Sequence, residues 1–365
     1  MRVGLDATCF DDRPSGANQR FRELYGALIR TTPDVEYVVY EPVEHRIGAW
    51  FADCGNVTIR RTSVPGAGRL KRMVAGMRYW PSALRRDALD LFEGFSLPMV
   101  HAHCPTLLTI HDLRPLRADR PLAERLVGRP VLRHGFSNAT RVIAVSRTVA
   151  DEIAAFRPRT PVEVIHNGVD VARFVPAPSP PDLPRLPDRF LLAVGHIETR
   201  KNLETLVRAV AVLRARGQAC PLWIVGNDGG AIGPVAALID ALGVGDLVRI
   251  VHGANDAVVQ ALYAACTMVV VPSTYEGFGI AVIEAMASRR PVVTSDIAVF
   301  RELSQGQGRD FARCDPYAAA AAIERVWSDP VEAARLVAFG DRRVRDFAFP
   351  TLAGQLAALH RRMTS

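Results

Sequence analysis

The sequence predicts an α/β protein of two doubly wound domains facing a cleft, and three observations carry that expectation. Short apolar runs alternate with helical patterns along most of the 365 residues, as in parallel sheets covered by helices on both faces. A stretch with six prolines in fifteen residues, VPAPSPPDLPRLPDR (175–189), breaks the alternation near the middle. Several apolar runs end in Gly, Asn, Asp or Ser, and open α/β sheets bind ligands at that end of the strand.

In the first domain, expected over 1–175, the strands are MRVGLDA (1–7), VEYVVYEP (35–42), LDLFEG (89–94), PTLLTIHD (105–112), TRVIAVS (140–146) and VEVIHNG (162–168). Residues 17–32 and 147–156 read as helices. The linker is placed at 176–189. In the second domain, expected over 190–349, the strands are FLLAVG (190–195), PLWIVG (221–226), VRIVHG (248–253), TMVVVPS (267–273) and PVVTSD (291–296). Helical patterns at 202–217, 233–243, 255–266 and 279–288 fall between them. The last helix, about 350–365, fits either domain and is free to fold back on the first.

Composition narrows the function. Hydrophobic residues make up 49% of the chain, enough for two cores, and no apolar run approaches the roughly 20 residues that cross a bilayer. The first residues lack the basic and apolar regions of a signal peptide. Six scattered cysteines without a Cys-x-x-Cys pattern read as reduced thiols of a cytoplasmic protein. His101, His103, Cys104 and His111 cluster without metal-ligand spacing, so no metal is expected.

Of the net charge of +7, the first 175 residues hold +6. Much of it lies in GRLKRMVAGMRYWPSALRR (68–86), where Arg69, Lys71, Arg72, Arg78, Arg85 and Arg86 surround Met73, Met77, Tyr79 and Trp80. Such a stretch suits an anionic membrane surface or an acidic acceptor, and equally an ordinary solvated helix face. Nothing resembles a nucleic-acid-binding motif. Lys71 and Lys201 are the two lysines among 45 basic residues, which draws notice to Lys201.

TMVVVPSTYEGFGIAVIEAMA (267–287) parses as strand, turn and helix, the helix starting near Phe278 to Ile280. A helix start favours an anion such as phosphate, and Gly277 and Gly279 leave the backbone open to a ligand. Glu284 lies further along that helix and suits a pair of hydroxyls. Glu276 lies ahead of the helix and suits neutral donors such as sugar hydroxyls. A first-turn glutamate with a solvated partner is the competing reading. Arg200 and Lys201 follow a turn at Gly195 and precede Asn202, a candidate helix cap.

PSTYEGFGIAVIEAMASRRPVVTSD resembles the Glu-x7-Glu donor motif of family-4 retaining glycosyltransferases, which have the GT-B fold of two Rossmann-like domains. LAVGHIETRKNLETLVRAV, LLTIHDLRPL, VIAVSRTVADEI, VIHNGVDVARF and DATCFDDRPSGANQRFRELYGAL resemble further segments of that family, in its order. The look is nearest to bacterial O-antigen and exopolysaccharide mannosyltransferases. The resemblance implies that Glu284 holds ribose hydroxyls and Glu276 a hydroxyl of the donor sugar. It implies that Gly277, Phe278, Gly279 and Ile280 support the donor through their backbone, and that Arg200 and Lys201 neutralise the leaving diphosphate. Gly16 would let the first loop approach the diphosphate or acceptor, and His111 would lie beside the donor sugar.

Two departures stand out: Arg289-Arg290 replaces the usual glycine after the motif's helix, and Asn18 stands where the family often has a small residue. No Asp-x-Asp occurs, which favours cationic side chains over a metal and implies no cofactor besides the donor. The expected activity is retaining, metal-independent transfer of a hexose, with GDP-mannose the first choice of donor and UDP-glucose the next. The expected acceptor is a saccharide or lipid-linked saccharide of cell-surface polysaccharide assembly at the inner membrane. A nucleotide-sugar 2-epimerase of the same architecture and a non-catalytic assembly protein are the alternatives.

Overall fold

The computed structural model describes residues 1–11, 15–118, 120–174 and 185–365. Most of the expected linker, 175–184, lies outside them, as does the Arg69 side chain. The chain forms two compact units, Met1–Gly168 with Phe349–Ser365, and Val169–Ala348.

In the first unit the described residues form a parallel sheet of seven strands: β1 (Arg2–Asp6), β2 (Glu36–Glu41), β3 (Val57–Arg61), β4 (Leu91–Gly94), β5 (Thr106–Ile110), β6 (Arg141–Ala144) and β7 (Val162–Val164). Their order is β3-β2-β1-β4-β5-β6-β7. Both faces of β1 are covered, which is why its sequence is apolar without alternation. Val3 and Leu5 join a core with Phe21, Leu24 and Leu28 of the first helical region and Leu352 and Leu356 of the last helix, Phe349–Thr364. On the other face a Cβ at Gly4 would meet Leu89, Phe92 and Tyr40. Trp80 stacks edge-on against Tyr40 and Phe92 there, at 5.1 and 5.4 Å.

The expected helix 17–32 is continuous but widens to π spacing over Arg20–Tyr25, between α segments Gly16–Gln19 and Gly26–Thr31. Both ends of the widened turn reach inward. Tyr25 donates to the Glu93 carboxylate, and Arg20 Nη1 donates to the His166 carbonyl at 2.5 Å and to Asn167 Oδ1 at 3.1 Å. Glu93 also accepts from Thr109 at 3.2 Å and lies 3.0 Å from His360 Nε2 of the last helix, with His360 and Glu93 both fully buried.

In the second unit the described residues form six parallel strands: β8 (Leu191–Val194), β9 (Leu222–Val225), β10 (Val248–Val251), β11 (Met268–Val271), β12 (Val292–Ser295) and β13 (Arg309–Phe311). Their order is β10-β9-β8-β11-β12-β13. Leu191, Leu222, Ile224 and Val270 pack against Leu206, Val210 and Leu213 of helix Leu203–Ala215 and against Ile323 and Val326. At the end of the expected linker, Arg189 stacks over the Trp327 ring, 4.2 Å from its centroid.

Sequence reading passes over β3 and β13. Each is an edge strand without a continuous apolar run, and β3 carries two arginines. It also passes over helix Leu122–Asn138, which holds Pro130 in its interior.

Candidate active site

The strand order of the second sheet reverses between β8 and β11, so the connections after these two strands run opposite ways and open a crevice at their carboxyl ends. After β8 the backbone turns at Gly195 with φ +136°, a conformation left to glycine. The next turn, Thr199–Lys201, carries both expected cations. The two connections are tied together: Thr274 N donates to the Arg200 carbonyl at 2.8 Å, and Asn202 Nδ2 donates to the Pro272 carbonyl at 3.1 Å. Asn202 does precede helix Leu203–Ala215, yet it adopts the left-handed conformation and its side chain caps nothing, being taken up by Pro272 and Thr205.

Arg200, Lys201 and Glu276 meet directly. Arg200 Nη1 lies 2.5 Å from Glu276 Oε2, and Lys201 Nζ lies 2.6 Å from Glu276 Oε1, which also accepts from Ser273 Oγ at 2.9 Å. Arg200 Nη2 pairs with Glu198 at 2.6 Å. Burial alone raises the Glu276 pKa, but the Lys201 and Arg200 charges outweigh it and hold the carboxyl at about 2. Arg200 is likewise held above its usual value: burial opposes its charge, and Glu276 and Glu198 more than offset that. Two cations and two carboxylates balance, so an arriving phosphate competes with Glu276 for its donors. The expectation that Glu276 faces only neutral hydroxyls thus gains a second role, bridging the cations.

Gly277, Phe278 and Gly279 lead into helix Ile280–Ala287, whose start has no side-chain cap; Val282 N donates to the Gly279 carbonyl at 3.0 Å, which leaves the Ile280 and Ala281 N–H groups at the helix start to suit an anion. Gly279 is also required by the backbone itself. Its φ is +103°, and a Cβ there would lie 2.7 Å from the Phe300 ring. The Phe278 ring is buried edge-on against Phe347 at 5.6 Å, leaving only its backbone for a ligand. At the far end of the helix, Arg289 takes the left-handed position (φ 54°) that a glycine ordinarily fills, and its side chain pairs with Asp341 at 3.1 Å.

Glu284 accepts a hydrogen bond from Tyr263 Oη at 2.9 Å. Burial pushes its carboxyl up to about 7, moderated by the Tyr263 hydrogen bond and the charge of Arg173. A cavity of about 810 Å³ in this unit lies at the other end of the same helix, lined by Met286, Arg290 and Val344 and by Val171 and Phe174.

In the first unit, Gly16 opens the short helix Gly16–Gln19 behind Ser15, whose hydroxyl accepts from Asn18 N at 3.1 Å. The Asn18 side chain donates to the Asp11 carbonyl and carboxylate at 2.9 and 2.7 Å, so this departure ties the short helix to Asp11. His111 follows β5 at the carboxyl end of the sheet. Burial, aided by the Arg20 charge, lowers its pKa to about 3, which keeps the imidazole neutral. His101, His103, Cys104 and His111 form no ligand group, nor do any three His, Cys, Asp or Glu among the described residues.

The basic stretch forms helix Arg69–Asp87. Lys71, Arg78 and Arg85 are exposed, beside exposed Leu70, Met73, Val74 and Met77. Arg72 does not belong to that surface: its Nε is enclosed and its charge acts on buried Asp6 and Cys9. Arg86 is half taken up by Asp87 at 2.8 Å. Among the described residues no helix is long and apolar enough to cross a membrane.

Sequence reasoning missed Ser273, Glu198, Tyr263 and Arg20. Ser273, at the end of a strand, was the one with a readable signal.

Two parallel-sheet units, one bearing a helix start without a side-chain cap at its switch point, define a doubly wound α/β protein. The chain belongs to the glycosyltransferases of GT-B fold: the family described as "Glycosyltransferase Family 4" matches residues 14–173, and "Glycosyl transferases group 1" matches residues 180–343. It is 32% identical over 286 residues to D-inositol 3-phosphate glycosyltransferase of Salinispora tropica, covering 70% of this chain and 57% of that protein. It is 31% identical over 199 residues to the O-antigen chain mannosyltransferase of Salmonella typhimurium, covering 54% and 53%. These matches thus span little more than half the length of the curated relatives. In fold it is similar to sucrose-phosphate synthase from Thermosynechococcus elongatus, with a TM-score of 0.75, 21% identity, and 99% and 98% of the two chains covered.

Proposed function

We propose that the protein moves a hexose from a nucleotide diphosphate sugar to a saccharide or lipid-linked saccharide, with retention and without a metal. One observation carries this reading. Arg200 and Lys201 stand beside the uncapped start of helix Ile280–Ala287 at the sheet's switch point, with Glu284 further along that helix. The helix start and the two cations suit the diphosphate, and Glu284 suits the ribose hydroxyls. As the bond from the sugar to the diphosphate breaks, negative charge grows on the leaving group, and cations placed there contribute most in the transition state. Glu276 stores Arg200 and Lys201 in position and exchanges part of its hold on them for phosphate oxygens. Its remaining lone pairs suit a sugar hydroxyl.

GDP-mannose is our first choice of donor, in keeping with the resemblance to mannosyltransferases, and UDP-glucose the second. The setting we propose is cell-surface polysaccharide assembly in the cytoplasm, against the inner membrane. The exposed apolar and basic face of helix Arg69–Asp87 supports that placement.

A thermal-shift panel of nucleotide diphosphate sugars selects the donor, and nucleoside diphosphate release then follows turnover. Arg200→Ala and Lys201→Ala each lower turnover at saturating donor by about 100-fold, the scale of losing one preorganised charge-stabilising donor. Unchanged turnover in both variants would refute the assignment.

A further inference from the structure

Glu284 is held by groups that the two-glutamate motif does not contain. Tyr263, fully buried in helix Asp256–Ala265, donates to Glu284 Oε2 at 2.9 Å. Glu284 Oε1 has no hydrogen bond among the described residues. The Tyr263 ring is itself held, meeting Phe174 edge-on with centroids 5.6 Å apart and planes at 90°. Phe174 closes the turn Val171–Phe174, whose Arg173 pairs with Asp256, the first residue of Tyr263's helix, at 2.6 Å. One turn therefore grips that helix at its first residue and two turns later.

We propose that Tyr263 is a positioning residue of the donor site, fixing one oxygen of Glu284 so that the other faces the nucleotide ribose, with the Val171–Phe174 turn holding Tyr263 in place. This rests on the reading of Glu284 as the ribose acceptor. A carboxylate that accepts one hydrogen bond inside the protein keeps a single rotamer and spends less freedom when a hydroxyl pair arrives. The groups facing Glu284 are Tyr263 and Asp256 from one helix, Arg173 from the turn and Lys201 from Thr199–Lys201. Tyr263 and the two cations favour the ionised carboxylate, whereas Asp256 and burial favour the neutral acid.

Titration calorimetry with UDP and with GDP tests this in the full chain, using Tyr263→Phe, which keeps the ring against Phe174 and removes only the hydroxyl. The expected result is a Kd raised about tenfold, a higher donor KM and an unchanged kcat at saturation. Nucleotide affinity in the parent falls as pH drops through about 7 and Glu284 takes up a proton. In Tyr263→Phe that midpoint moves to higher pH, because a donor favouring the charged form is gone. A purely structural role for Tyr263 moves stability and leaves the midpoint where it is. Parent-like affinity in Tyr263→Phe, while Glu284→Ala loses binding, overturns the positioning role and spares the ribose reading. Parent-like affinity in Glu284→Ala defeats the ribose reading and this proposal together. Phe174→Leu provides a second route: it keeps the hydroxyl, loosens the ring and is expected to raise Kd about threefold.

Discussion

Glu276 lies at the meeting of opposed effects: burial favours its neutral form, while two cations and the Ser273 hydroxyl favour the charged one. With its pKa lowered from the model-compound 4.5 to about 2, the folded state prefers the ionised carboxylate. The resulting stability is therefore present above pH about 4.5 and is lost as pH falls toward 2, amounting to about 3 kcal/mol. Glu276→Gln removes the same contribution at neutral pH and leaves Arg200 and Lys201 facing each other. Urea unfolding of the second unit is expected to show a loss of about 3 kcal/mol at pH 7, shrinking as pH approaches 3. A loss that stays constant with pH contradicts the ion-pair account. Glu276, Glu284, Arg200 and Lys201 are legible in sequence because their charges break apolar patterns at the ends of strands and helices. Tyr263 is not, since a tyrosine inside ALYAAC reads as core and only the tertiary fold places its hydroxyl on a carboxylate.

Among the elements, the central strands and the helices that fall between them were readable from their periodicity. Those that escaped notice are edge strands β3 and β13, where half the side chains are wet, helix Leu122–Asn138 with its internal proline, and the helices Ala298–Ser304, Pro316–Ser328 and Pro330–Arg343 beyond the last strand that was read. In helix Arg69–Asp87 the charge was legible and the direction of each side chain was not. Trp80 and Leu84 turn inward, Arg72 turns toward Asp6, and Leu70, Met73, Val74 and Met77 remain outside. Lys71, Arg78 and Arg85 contribute about 1 kcal/mol each at an anionic surface, so together they raise partitioning about 100-fold over a neutral one. Flotation is expected to recover the protein with phosphatidylglycerol vesicles at low salt and much less with neutral vesicles. Leu70→Glu with Met77→Glu is expected to abolish that recovery. Equal recovery from both vesicle types removes the membrane placement.

At the level of the whole molecule, each unit has its own core, and the first is completed by the far end of the chain. The sequence left the last helix unassigned because its apolar stripe fits either unit equally well. What decides is a set of particular partners: Phe349, Leu352 and Leu356 in the apolar core, and His360 against Glu93. A carboxylate buried in the middle of LDLFEG gave no signal in sequence, because its partners lie up to 267 residues away. His360→Ala leaves Glu93 short of a hydrogen-bond partner and is expected to destabilise the first unit by about 2 kcal/mol in urea. The pair Glu93→Gln with His360→Leu is expected to cost less than that single change, since replacing both partners leaves no buried carboxyl stripped of its imidazole partner. A double variant less stable than His360→Ala argues against a coupled Glu93–His360 hydrogen bond.

The contribution of helix Phe349–Thr364 to the first core also orders events during synthesis. The sheet that is translated first lacks one wall until residue 364 has emerged. At roughly 5–20 residues per second, that leaves an interval of about 10 to 40 s after residue 168. The second unit, contiguous from Val169 to Ala348, is complete before the first can close. The nascent chain therefore presents Phe21, Leu24 and Leu28 to the cell as an open apolar groove, a natural station for a chaperone.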